Sequence, residues 1–206
     1  MSKIIGFSND PFLRDRVQEL IDKFNINLVF ETGTYIGSTT KALAAMVKSV
    51  HTAEVNKGFY DEAVANLKGI PNITQYNQSS PEAITHFFNN VLGDKKRNIL
   101  FYLDAHWGGT PLIDELKAIK ASGTKPVIVI HDWKVPGKDF GYDSYDGQDY
   151  VFEWIEPYIK DIYGEDFTVS YNEKAAGSYR GVIFIEPTKQ TDVKTKRKRT
   201  NKRSTK

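Results

Sequence analysis

The chain has 206 residues, with 28 Lys and Arg, 26 Asp and Glu and no cysteine, so disulfides and cysteine-ligated metals are excluded. At 40% hydrophobic and 13% aromatic residues, it has the composition of a globular protein with one sizeable core. No apolar run is long enough for a signal peptide or a membrane span, and a cytoplasmic location is expected on that ground.

In chain order, DPFLRDRVQELIDKF (residues 10–24) predicts a helix. Asp10 caps it, Pro11 suits its first turn, and Leu13, Val17, Leu20, Ile21 and Phe24 share one face. A buried strand follows over about 27–31, then a glycine turn with Gly33 and Gly37, then a helix from Ser38 to about Val47. SVHTAEV reads as a second strand ending near Glu54, YDEAVANLKGI as a helix, ITQYNQ as a short strand, and PEAITHFFNNVL as a helix with Pro81 near its start. NILFYLDAHW is a strongly apolar strand ending at Asp104, and PLIDELKAIKAS is a helix. KPVIVIHDW is a second buried strand ending in His131 and Asp132. YVFEWIEPYIKDIY predicts one helix or two pieces around Pro157, and FTVSYNE and YRGVIFIEP are two closing strands.

Alternating strands and helices imply an α/β fold, a Rossmann-like doubly wound and mostly parallel sheet. The last two strands are joined too closely for a parallel crossover, so one antiparallel edge strand is expected near the C-terminus. In such sheets ligands sit at the carboxyl ends of the strands. The polar residues that end apolar runs are Glu31, Glu54, Asp104, His131 and Asp132. Any single acid there can be an ordinary turn cap, but five in strand order point to a site. An acid ending the second strand can accept hydrogen bonds from a ribose diol, which suits NAD or S-adenosylmethionine (SAM) equally. The glycine pattern separates them. A dinucleotide loop needs G-x-G-x-x-G, whereas this chain has Glu31, Gly33 and Gly37 with an acid that would repel a pyrophosphate.

FETGTYIGSTTKALA, HTAEVN, YNQSSPEAI and FYLDAHW, in that order, resemble the motifs of class I SAM-dependent methyltransferases over about residues 10–187. The resemblance implies that Glu31, Gly33, Thr34, Gly37 and Ser38 surround the methyl donor and that Glu54 binds its ribose. Ser79 stands where the family's acid usually meets adenine. LDAHW followed by VIVIHDW resembles metal-dependent sugar and small-molecule O-methyltransferases. In these, acids ending strands four and five hold a divalent cation, so the resemblance makes Asp104 and Asp132 metal ligands, with Asp104 also at the donor. Mg²⁺ or Mn²⁺ suits such oxygens. His131 is a possible third ligand, but adjacent strand residues point to opposite faces, so it can join Asp132 only where the strand has ended. The alternative is a metal-free enzyme in which Asp132 caps a loop. His106 is the candidate base that takes the hydroxyl proton, and with Asp104 forms the expected catalytic pair; a loop hydrogen bond is its alternative. His51 and His86 have no comparable setting.

GKDFGYDSYDGQDYVFEW (137–154) is expected to cover the acceptor and hydrogen-bond several hydroxyls, unless it is a plain solvated loop. Residues 194–206, KTKRKRTNKRSTK, carry eight bases and no acid; without those eight the remainder has 20 bases against 26 acids, a net of −6. Two parts are thus expected: a methyltransferase domain over 1–187 and a basic, disordered tail over 188–206. The expected activity is SAM-dependent O-methylation of a sugar or small-polyol hydroxyl. A further resemblance, to methyltransferase domains of glycan-building proteins in large DNA viruses, implies a deoxysugar acceptor and a host-cytoplasmic location. Two other readings are a nucleic-acid methyltransferase anchored by the tail and a non-catalytic SAM-binding module. The acidic body and the LDAHW motif speak against the first of these.

Overall fold

The computed structural model describes residues 6–93, 97–106 and 109–188. Five strands, β1 (Leu28–Thr32), β2 (Ser49–Ala53), β3 (Ile73–Tyr76), β4 (Ile99–Leu103) and β5 (Val127–His131), run parallel in one sheet. A small separate hairpin, β6 (Ser144–Tyr145) and β7 (Gln148–Asp149), follows β5. The last strands, β8 (Phe167–Tyr171) and β9 (Val182–Pro187), complete a seven-stranded sheet in the order β3-β2-β1-β4-β5-β9-β8. The strand expected to run against the others is β9, paired antiparallel to both β5 and β8. It lies one place in from the edge; β8 forms the edge, because the hairpin folds back outside β9.

Every residue of β1, β4 and β5 is buried, as their near-continuous apolar runs require of a sheet covered on both faces. Alternation divides them between two cores. Leu28 and Phe30 pack on one side with Ala83 and Ile84 of α4 (Ser80–His86), Leu116 of α5 (Leu112–Ala121) and Ile159 of α6 (Phe152–Tyr163). Val29 packs on the other with Val17 and Leu20 of α1 (Pro11–Lys23) and Leu43 of α2 (Ser38–Ala44). Each fully buried Leu, Val or Phe contributes about 1.5–3 kcal/mol, so the central strands and the turns at their ends are held firmly.

The helix signals act as read. Asp10 accepts from the amides of Phe12 and Leu13 at 2.8 and 3.2 Å. α6 is one helix with Pro157 inside it. Helix α3 (Lys57–Asn66) starts three residues before YDEAVANLKGI, because Asn56 caps it by accepting from Gly58 and Phe59. After α4 the chain continues as a π-helical stretch over Phe87–Leu92. Among the described residues no helix is long and apolar enough to cross a membrane. The basic run 194–206 lies outside the described residues.

Candidate active site

The carboxyl ends of β1, β2, β4 and β5 open into one cavity of about 830 Å³, lined among others by Gly33, Glu54, Ser79, Asp104, His106 and Asp132. Its volume suits a nucleoside-sized ligand with a small acceptor. A second cavity, at the amino-terminal ends of the strands, has no carboxylate or imidazole among its described lining residues.

Gly33 follows β1 with φ +78°, and a Cβ there would stand 2.3 Å from the carbonyl oxygen of Asp104. The ends of β1 and β4 thus approach closely only because this residue is glycine. Glu54 stands one residue beyond β2, where its Oε2 accepts from the Tyr35 amide at 2.9 Å and its Oε1 from the Asn56 amide at 2.8 Å. These two bonds fix the carboxylate at the cavity wall and leave lone pairs for a diol. Ser79 also lines the cavity and donates to Glu82 at 2.7 Å.

Four other residues of the first motif stand behind the wall and do not line the cavity: Glu31, Thr34, Gly37 and Ser38. The Glu31 carboxylate is buried and accepts from the Thr40 and Thr52 hydroxyls at 2.5 and 2.7 Å, tying α2 to β2. Burial outweighs those bonds and pushes its pKa up to about 8. In the unfolded chain this acid ionises near its ordinary 4.5, so its contribution to stability is full below that pH and is lost as pH rises towards 8. Glu31→Gln, which cannot ionise, is therefore expected to gain in Tm relative to the parent between pH 5 and pH 8; parallel Tm profiles would sink the assignment. Thr34 shares a hydroxyl contact of 2.6 Å with Thr52. Gly37, with φ +88°, begins α2 against Leu67, and Ser38 is the first residue of that helix.

The decisive geometry is at β4 and β5. His131 ends β5, and Asp132 takes a left-handed φ of +59°. Such a backbone is uncommon and costly for a residue with a side chain. It ends the strand and lets both side chains serve one side, which was the condition for a shared site. Ligand atoms of Asp104, His106, His131 and Asp132 lie within 4.8 Å of one another. His106 Nε2 is 2.5 Å from Asp132 Oδ2 and 3.0 Å from Asp104 Oδ1. His131 Nδ1 is buried and lies 3.1 Å from Asp132 Oδ2 and 3.3 Å from Asp104 Oδ1, within ion-pair reach of both. A buried imidazole nitrogen beside two converging carboxylates is a donor set that fits a divalent cation.

The charges answer one another. Burial disfavours protonation of His106, but bonds and charge from Asp104 and Asp132 outweigh it and push its pKa up to about 10. Burial also opposes protonation of His131, and the charges of Asp104 and Asp132 push it up to about 10. Burial would raise both acids, but the two imidazoles hold Asp104 and Asp132 below the ordinary carboxylate range. The protonated imidazoles therefore occupy the electrostatic role that a cation would take.

Three residues not singled out from sequence complete the cluster. Arg180 pairs through Nε with Asp132 and through Nη2 with Asp143, and Asp143 Oδ2 lies 2.8 Å from His106 Nδ1. Tyr145 donates to that same oxygen at 3.0 Å. No residue of 137–154 lines the cavity, and Asp143 and Tyr145 of this segment stand against Nδ1 of His106. The richness of 137–154 in Asp and Tyr was a visible signal; nothing local marks Arg180. Glu115 of α5, not singled out from sequence, is buried, and burial lifts its carboxyl to about 7. His51 is buried against Tyr76, with its pKa lowered to about 4 by burial, and His86 lies at the exposed end of α4. Trp107 lies outside the described residues.

No family model matches the chain, and no curated protein does. Solved structures do. An O-methyltransferase from Bacillus cereus in complex with SAH matches at 18% identity over 86% of this chain and 81% of that one, with a TM-score of 0.61. An O-methyltransferase of tomaymycin synthesis from Streptomyces achromogenes, in complex with SAM, matches at 14% over 86% and 80%, with a TM-score of 0.58. An rRNA methylase from Streptococcus thermophilus matches at 15% over 84% and 95%, with a TM-score of 0.54. At these identities the likeness establishes the fold, the Rossmann-like sheet of class I methyltransferases.

Proposed function

We propose that this chain, built on the class I methyltransferase fold, is a SAM-dependent O-methyltransferase acting on a hydroxyl of a sugar or small polyol. The observation that carries the reading is the convergence of Asp104, His106, His131 and Asp132 in the cavity that also holds Glu54. Fold likeness supports the donor, and the acid–imidazole cluster supports a hydroxyl acceptor. The sugar, and a deoxysugar in particular, rests on the sequence resemblance. The nucleic-acid reading rests on a tail outside the described residues and on no feature of the site.

In the reaction an acceptor oxygen attacks the methyl carbon of the donor. The new C–O bond forms as the C–S bond breaks, and its electron pair leaves on sulfur as a neutral thioether. The chain's task is alignment and proton removal. Glu54 anchors the ribose, Gly33 lets the donor approach the backbone, and His106 takes the hydroxyl proton at Nε2. Asp104, Asp132 and His131 would hold a divalent cation, which supplies a lowered pKa at the acceptor hydroxyl.

A turnover screen with SAM against sugar and phenol panels, with and without chelator, tests the reading; no methylated product from any hydroxyl acceptor would count against it. Glu54→Ala is expected to weaken SAM binding by about 1.5–3 kcal/mol, as for a lost hydrogen bond to a charged group. Calorimetry with the folded variant checks this, and unchanged affinity would remove Glu54 from the ribose site.

A further inference from the structure

We propose that Asp143 is the positioning residue of His106, holding its proton on Nδ1 so that Nε2 presents its lone pair to the acceptor. The ring stands between two sets of acids. Nε2 faces Asp104 and Asp132, and Nδ1 faces Asp143 Oδ2 at 2.8 Å. At Nδ1 the ring meets Asp143 at 2.8 Å and the Tyr145 hydroxyl at 3.3 Å, and of these two only the carboxylate is a charged acceptor for a ring proton. A free neutral imidazole favours Nε2–H, the form that cannot act as a base from that nitrogen. A carboxylate on Nδ1 reverses the preference, which is how acids behind histidines fix tautomer and ring orientation.

Asp143 is itself held on every side. Tyr145 donates to its Oδ2 at 3.0 Å, and Arg180 pairs with its Oδ1 while also pairing with Asp132. Its amide donates to the Asp132 carbonyl at 2.9 Å, and its own carbonyl accepts from the Tyr150 amide at 3.2 Å. Just before it, Gly141 exchanges backbone hydrogen bonds of 2.9 Å with Tyr179 and Gly181. A Cβ on Gly141 would stand 3.0 Å from Arg180 Cδ, so the glycine allows the arginine its place. The segment 141–145 is thus sewn to the entry of β9 and to the end of β5. That construction suits a brace that sets one ring orientation.

The kinetic part of this inference rests on the methyltransferase reading; the spectroscopic part does not. The test records imidazole ¹⁵N spectra of the full chain at pH 7, with and without Mg²⁺, for the parent and for Asp143→Asn, with His106→Gln assigning the signal. The Mg²⁺-loaded parent is expected to carry the His106 proton on Nδ1, and Asp143→Asn to shift population to Nε2–H. A parent with bare Nδ1, or identical spectra for the two proteins, overturns the proposal; the parent spectrum decides even should the variant misfold. In turnover, Asp143→Asn is expected to lower kcat by about 10- to 100-fold, with acceptor KM and the affinities for SAM and Mg²⁺ within about twofold of the parent. An unchanged kcat also overturns it. Failure of SAM to bind or turn over in the parent would remove the methyltransferase reading and leave the spectra to decide the role of Asp143.

Discussion

Chelation with EDTA is expected to abolish methyl transfer, and Mg²⁺ or Mn²⁺ to restore it. The expectation comes from the donor set. Two carboxylates and the buried Nδ1 of His131 converge, with ligand atoms inside 4.8 Å. Asp104→Asn and Asp132→Asn should each weaken metal affinity strongly, because each exchanges an anionic oxygen for a neutral one at nearly constant shape. SAM affinity should change far less, since Glu54 and Gly33 at the other strand ends are untouched by these substitutions. The pH dependence has a definite sign. The same carboxylates hold protons on His106 and His131 up to pH about 10 in the absence of a cation. Cation and protons therefore compete, so binding should release protons at neutral pH and weaken as pH falls. Calorimetry in buffers of different ionisation enthalpy measures the release. Full turnover by metal-free protein would defeat the metal reading and leave Asp132 as a loop residue paired with Arg180.

The His106→Ala variant is expected to lose turnover by about 10² to 10⁴, the range for removal of a general base. Metal and SAM affinities should persist, because Asp104, Asp132 and His131 remain and Glu54 lies at another strand end. Partial recovery at high pH should follow, where hydroxide substitutes for the imidazole. The contrast with the chelation experiment separates the two roles: loss of cation removes activity with His106 present, and loss of His106 removes activity with the cation bound. Steady-state rates at saturating acceptor and Mg²⁺ decide the matter. A variant as fast as the parent would make the imidazole a structural partner of Asp104 and Asp143.

Much of this was legible in the chain alone. The apolar runs of β1, β4 and β5, the cap at Asp10 and the glycine turn gave the sheet, its parallel order and the strand ends that face the cavity, because these depend on period, burial and local backbone freedom. Placing Glu54, Asp104 and His131 at those ends followed from the same patterns. Tertiary structure decided the rest. That Glu31 braces α2 from behind the wall depends on Thr40 and Thr52 reaching it from two elements. That His131 and Asp132 serve one site depends on a left-handed residue that no local pattern announced. That Asp143 and Arg180 close around His106 depends on long-range pairing of segment 141–145 with the entry to β9. Sequence periodicity specifies which residues are buried and where strands stop. The partners of an ionisable side chain are set by which distant elements the folded sheet brings beside it, and here those partners, not the residue types alone, fix the charge and orientation of the imidazole.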